Sequence, residues 1–378
     1  MTLQILRGAS TSPDPETAAR ELHQAIYHPE AALTLFYCAA SYDRAALGAA
    51  IAARFGRDAP VIGCTTAAEI SPLGYGEGAL TGVSLRGASL LAHTERIDDL
   101  LRYEPTRGEQ AAERALAALV ARGVTPRGRT CFGFLLIDGM SMQEDSVVSS
   151  ISSRLCEIQL FGGSAGDGMS FGTTHLYHQG EFHTGCALFT MLHTDAPFRI
   201  FKTEHFLPTR ERLVITGADP ARRLVTEING RPAASEYARL VGLEVQELSP
   251  LVFATHPVVV TIGNSIYVRS IQKANEDGSL SFFCAIDEGL VLRLAQGVDM
   301  MKNLEEAFAT VERDVGKPQL VLGCDCVLRY LEASQRGLRE QMSELFVANN
   351  VIGFATYGEQ FNAMHVNQTF TGVAIGSS

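Results

Sequence analysis

Three stretches of this 378-residue chain repeat one pattern, and such a repeat constrains the fold more than any single motif. The first has an apolar run at 33–38, a helical stretch near 43–55, an apolar run at 61–67 around Gly63, and a strand carrying Thr81-Gly82. The second has runs at 131–138 and 160–165 around Gly162, a helical stretch near 143–155, and Thr184-Gly185. The third has runs at 320–325 and 351–355 around Gly353, a helical stretch near 337–348, and Thr371-Gly372. Cys38 to Gly63, Asp138 to Gly162 and Asp325 to Gly353 span 25, 24 and 28 positions. From those glycines to Gly82, Gly185 and Gly372 the spans are 19, 23 and 19. A weaker fourth copy is read at 278–286, which resembles 78–85.

The unit predicts strand, helix, strand, then antiparallel strands. Alternating residues at 174–184 around Gln179-Gly180, and at 266–286 around Asn275-Glu276-Asp277-Gly278, read as hairpins. The expected class is α/β (α+β): two similar halves of repeated β-α-β-β units, with mixed sheets covered by helices. Residues 1–208 would hold two units, and 209–378 one clear and one weak unit. The polar stretch Pro208-Thr209-Arg210-Glu211-Arg212 is the expected joint.

An apolar share of 46% against 19% charged is enough for a sizeable core. Acidic residues outnumber basic ones, 42 to 31, which argues against a nucleic-acid surface. No apolar run reaches the roughly 18 residues of a membrane span. The N-terminus shows no signal-peptide pattern, so a cytoplasmic location is expected. The eight cysteines are expected as free thiols, most inside apolar runs. Cys324-Asp325-Cys326 lacks the spacing of a zinc knuckle and reads as a buried strand end.

Gly162-Gly163-Ser164-Ala165-Gly166 matches the nucleophile elbow of hydrolases, with Ser164 as nucleophile. An elbow needs a helix after it, and residues 167–172 offer no helical pattern. The competing reading is a glycine-rich turn that lets backbone approach a small ligand. Asp287-Glu288-Gly289 reads as a turn rather than an acid–base pair. No phosphate loop and no His-x-x-x-His pattern occurs, and without Cys-x-x-Cys-His no haem is covalently attached. A non-covalent haem needs one neutral imidazole in an apolar pocket; His205 and His365 both have apolar neighbours.

Residues 59–70 and 76–85, together with Leu160-Phe161-Gly162-Gly163-Ser164-Ala165-Gly166-Asp167-Gly168, resemble the N-terminal half of FIST proteins. Residues 214–217 and 224–233 with Tyr237, then 351–359 and Asn367-Gln368-Thr369, resemble the C-terminal half. The resemblance implies a FIST N domain over 1–208 and a FIST C domain over 209–378, acting as a cytoplasmic sensory module of signal transduction. It implies a non-enzymatic protein that binds a small metabolite such as an amino acid, or a gas. The length and the 369–375 ending resemble a stand-alone subset of haem-containing nitric-oxide sensors that regulate a partner histidine kinase. That subset implies haem b as cofactor; His205 is ranked ahead of His365 as iron ligand because it sits just before Pro208, near the expected joint where interface pockets form, and no other metal site is expected. Gly162, Gly163, Ser164, Tyr357 and Glu359 are the candidate ligand-pocket residues. The expected partners are a histidine kinase or other output protein, with no nucleic acid and no membrane insertion; a homo-oligomer is compatible with this reading. The alternatives carried forward are a haem-free metabolite sensor and a serine hydrolase built on Ser164.

Overall fold

The computed structural model describes residues 3–263 and 265–377. Unit one comprises β1 (Gln4–Ser10), α1 (Pro15–Ile26), β2 (Leu33–Ala39), α2 (Arg44–Phe55), β3 (Val61–Thr66), a hairpin of β4 (Glu69–Ser71) and β5 (Gly74–Gly76), and β6 (Leu80–Arg86). Unit two follows the same order: β7 (Leu91–Ile97), α3 (Pro105–Ala121), β8 (Cys131–Ile137), α4 (Glu144–Leu155), β9 (Leu160–Ser164), β10 (Leu176–His178), β11 (Glu181–His183) and β12 (Ala187–His193).

Unit three opens with β13 (Phe198–Thr203) and is then interrupted. The interruption contains β14 (Phe206–Asp219), β15 (Leu224–Ile228), β16 (Arg231–Pro232), α5 (Ala233–Val241), α6 (Pro250–Thr255), β17 (Val258–Ile262), β18 (Ser265–Arg269), β19 (Ile271–Ala274), β20 (Leu280–Phe282) and β21 (Val291–Gly297). Unit three resumes with α7 (Met300–Val315), β22 (Leu320–Cys326), α8 (Val327–Gln335), α9 (Arg339–Ala348), β23 (Val351–Thr356), β24 (Glu359–Phe361), β25 (Met364–Val366) and β26 (Phe370–Ile375).

Each unit builds one mixed sheet, and each sheet is finished by the hairpin of another unit. The orders are β1-β6-β2-β3-β10-β11, β7-β12-β8-β9-β24-β25 and β13-β26-β22-β23-β4-β5. Hairpin two completes sheet one, hairpin three completes sheet two, and hairpin one completes sheet three. The exchange is cyclic. β2, β8 and β22 are buried along all seven residues, because helices cover one face and the other sheets face the other. Leu35, Phe134, Leu322 and Phe354 meet in the central core, where Tyr37 stacks on Phe354 with centroids 4.6 Å apart.

The α/β class and the repeated units are as the sequence predicts, with differences of detail. Each unit begins one strand and one helix earlier than read. The strands β6, β12 and β26 occupy equivalent places, but the Thr-Gly pair does not. Gly82 and Gly372 pair with Phe36 and Gly323, which in turn pair with Gly63 and Gly353. In unit two that position belongs to Phe189, opposite Leu135 and thus beside Gly162. Gly185 lies before β12 at φ 59, where its N–H donates to Asp138.

The fourth echo, 278–286, lies in the interruption. It supplies β20, antiparallel between β15 and β19 in the sheet β18-β17-β21-β14-β15-β20-β19. It has no parallel partner strand and no crossover helix, so its likeness to 78–85 reflects strand composition only. The stretch 208–212 lies inside β14, where the register against β21 shifts between Pro208 and Arg212. The chain leaves unit three and returns at one point, clipped by a hydrogen bond from Val298 N–H to the His205 carbonyl at 2.7 Å.

Candidate functional site

His205 sits at that clip, fully buried. Its Nδ1 accepts from Arg329 Nη1 at 2.8 Å, and its Nε2 lies 2.9 Å from Glu332 Oε2. An arginine can only donate, so Nδ1 is unprotonated and Nε2–H donates to the carboxylate. Arg329 Nε also donates to Asp325 Oδ1 at 2.7 Å, and Asp325 accepts from Tyr75 on hairpin one at 3.0 Å. Burial pushes the His205 pKa down, against the Glu332 hydrogen bond. Both ring nitrogens are committed, which leaves no lone pair for an iron. His205 therefore pins the clip to α8 and hairpin one.

A different cluster forms where hairpin three reaches sheet two and meets the inserted sheet. Gln360 Nε2 donates to Ser164 Oγ at 3.0 Å and faces His365 Nδ1 at 3.5 Å. His365 Nε2 and Asn367 Nδ2 are buried without a partner. They converge: a Cβ built on Gly358 would lie 2.7 Å from His365 Nε2 and 2.9 Å from Asn367 Nδ2. The His365 ring itself occupies that space, so only a glycine at 358 lets the imidazole pack this closely on the backbone. Asn367 Oδ1 in turn takes the backbone N–H of Ser270, from the inserted sheet, at 3.5 Å.

The inserted side adds further polar groups. Ser270 Oγ and the Arg269 Nε and Nη1 groups are also buried without hydrogen-bond partners. The nearest carboxylate oxygen to Arg269 is Asp145 Oδ1, at 3.9 Å. Arg223 crosses the same seam to Glu144 at 2.6 Å, with side-chain exposures of 7% and 3%. Burial pushes the His365 pKa down, so the ring is neutral at physiological pH. Polar atoms buried this deeply are normally partnered, so such a concentration marks a place for water or a ligand.

The seam thus gathers Gly162, Ser164 and His365 from the expected residues, since Gly162 pairs with Gln360 across β9 and β24. Gly163 faces the other way, toward Phe354, Thr356 and Cys324. Glu359 is enclosed by the Thr356 and Thr369 hydroxyls and the Thr369 N–H, and burial pushes its carboxyl up to about 8. Tyr357 ties down the loop after Ser164. Its hydroxyl donates to the Asp167 carboxylate and accepts from Asp167 N–H at 3.1 Å and Phe171 N–H at 3.3 Å. Ser164 is fully buried, its hydroxyl meets an amide rather than a base, and no helix follows within the next residues. The hydrolase arrangement is not assembled. Nor do the residues fit a haem: His365 Nε2 faces the Gly358 backbone, and His205 has no free nitrogen.

Sequence reading missed Gln360, Asn367, Arg269, Ser270, Arg223, Glu144 and Asp145. The one available signal was Asn367 within the 367–369 motif.

These features define a class: a repeated α/β scaffold carrying an inserted sheet, with a buried polar seam between them that leaves several polar groups without partners. The FIST N domain matches residues 32–231 and the FIST C domain matches 233–362, so the chain belongs to the FIST family. FIST domains are associated with signal-transduction sensing. An uncharacterized protein of Methanocaldococcus jannaschii is 22% identical over 364 residues, covering 83% of this chain and 67% of that protein. The two family matches meet inside the inserted sheet. Among the described residues no helix is long and apolar enough to cross a membrane.

Proposed function

We propose that this protein is a small-molecule sensor of signal transduction whose ligand is held in the Gly358–His365–Asn367–Arg269 seam, and that it reports to a separate output protein such as a histidine kinase. The observation that carries this reading is the set of orphaned buried groups contributed from both sides of one junction. A ligand satisfying both sides favours the arrangement in which the inserted sheet is docked on hairpin three. Signal strength is then set by its differential affinity for docked and undocked arrangements.

Hydrogen exchange tests this. The full-length protein is screened against small polar metabolites by thermal shift, and each stabilising compound is then followed by exchange of residues 265–297 and 358–367. Protection in both segments is expected. Stabilising compounds that leave both segments unprotected, or a screen with no stabilising compound, would refute the reading.

A further inference from the structure

The unpartnered atoms of the seam are mostly of one kind. Arg269 Nε and Nη1 and Asn367 Nδ2 are donors by chemistry, because Asn367 Oδ1 is already turned to the Ser270 N–H. His365 Nε2 joins them: its Nδ1 faces the Gln360 amide N–H, which leaves the proton on Nε2. The Ser270 hydroxyl can donate as well. Two acceptors are unpartnered as well: Gln360 Oε1, which points toward Gly162, and Gln368 Oε1, whose amide nitrogen donates to the Phe253 carbonyl.

The charges explain why these donors remain free. Glu144 is taken by Arg223 at 2.6 Å. Asp145 is shared among Arg223 at 3.4 Å, the Ala285 N–H at 3.1 Å and Arg269 at 3.9 Å. Among the described residues the carboxylate oxygen nearest to Arg269 Nη1 is Asp145 Oδ1 at 3.9 Å, and the Cys284 thiol also faces the guanidinium. α4 also begins here at Glu144, with no side chain capping its first turn, so its positive end faces the same junction.

We infer that the seam binds a small molecule through a carboxylate, with one oxygen on the His365 and Asn367 N–H groups and the other on Arg269, assisted by Ser270. A carboxylate supplies two oxygens and about four acceptor sites, matching a donor-rich seam in which Arg269 has only a distant carboxylate, Asp145 Oδ1 at 3.9 Å. A phosphate carries more charge than one arginine and three neutral donors balance. This inference rests on the sensor reading and deepens it by naming the ligand's chemistry.

Calorimetric titration of the full-length protein is the test. The probes are acetate, succinate and glycine, each beside its amide (acetamide, succinamide, glycinamide), with inorganic phosphate as a further arm. At least one carboxylate is expected to saturate below about 10 mM and to bind at least about tenfold more tightly than its amide. Arg269→Gln should weaken it by about tenfold or more. Asn367→Asp places a like charge in the cleft and should abolish binding. If that variant fails to fold, Ser270→Ala, which should weaken binding severalfold, takes its place. Amides binding as well as carboxylates, phosphate binding more tightly than all of them, or no carboxylate saturating would each overturn the inference. Amide binding that protects the seam from exchange would leave the sensor reading standing while the carboxylate falls.

Discussion

Replacing Arg223 with Met removes one half of a buried ion pair that joins the inserted sheet to α4. At 2.6 Å and an effective dielectric of about 20, the gross attraction is about 6 kcal/mol. Removing the arginine also removes its own desolvation cost, so the net loss is smaller. What remains is Glu144, 3% exposed and without its partner, and breaking such a pair costs about 3–5 kcal/mol. Arg223→Met should therefore lower stability by that amount, whereas adding Glu144→Gln should restore all but about 1 kcal/mol. The chain has no tryptophan, so urea unfolding is followed by far-ultraviolet circular dichroism, with the four proteins forming a double-mutant cycle. A single-variant cost under about 1 kcal/mol would match an exposed pair. It would mean that the seam is wet and open, and the argument from orphaned buried donors would fail with it.

Four further outcomes are expected. Glu359 is held up to about 8, from an ordinary value of 4.5, so the folded chain keeps its proton where the unfolded chain has lost it. Stability should fall as pH rises from about 4.5 to about 8 and level off above, and Glu359→Gln should flatten that slope in urea midpoints measured from about pH 5 to 8.5; an unchanged slope refutes this. Gly353→Ala drives a methyl into the Gly323 carbonyl and should cost about 3 kcal/mol or prevent folding; a fully stable variant shows that the strands separate more easily than their packing suggests. A fluorophosphonate probe should leave Ser164 unlabelled, as judged by peptide mass spectrometry, and labelling there would establish an active nucleophile. Mixing the protein with haem b should give the same Soret spectrum for the parent and His205→Gln; a band lost only in the variant would show that the Arg329–His205–Glu332 arrangement opens to bind iron.

The apolar strands were legible because β2, β8 and β22 are buried on both faces and read as unbroken hydrophobic runs. The helices between the parallel strands followed from their spacing. The exchanged hairpins were not legible. Residues 174–184 announce a hairpin, but nothing local says that its first strand pairs with Cys64 and Gly63 of another unit. The inserted sheet was visible only as alternating strands, and one of these imitated the repeat. At the site, Ser164 and His365 stood out by residue type, yet their meaning comes from Gln360 between them and from Arg269 and Ser270, 96 and 95 positions earlier than His365. His205 misled because a buried histidine with apolar sequence neighbours reads the same whether its nitrogens are free or, as here, held by Arg329 and Glu332.

A single unit cut from this chain would hold out a hairpin with no sheet to join and leave beside its third strand an edge with no cover. Three identical copies related by a three-fold rotation satisfy every edge at once, because a head-to-tail contact that closes after three steps makes a ring. The chain has the form of such a trimer fused into one polypeptide. Fusion removes the need for identity. Where hairpin one places Ile70 opposite Tyr75, hairpin three places Gln360 opposite His365, and only the third unit accepted the inserted sheet. Two junctions of the ring are then free to serve closure alone, while the third can change its chemistry from one descendant to the next without opening the ring.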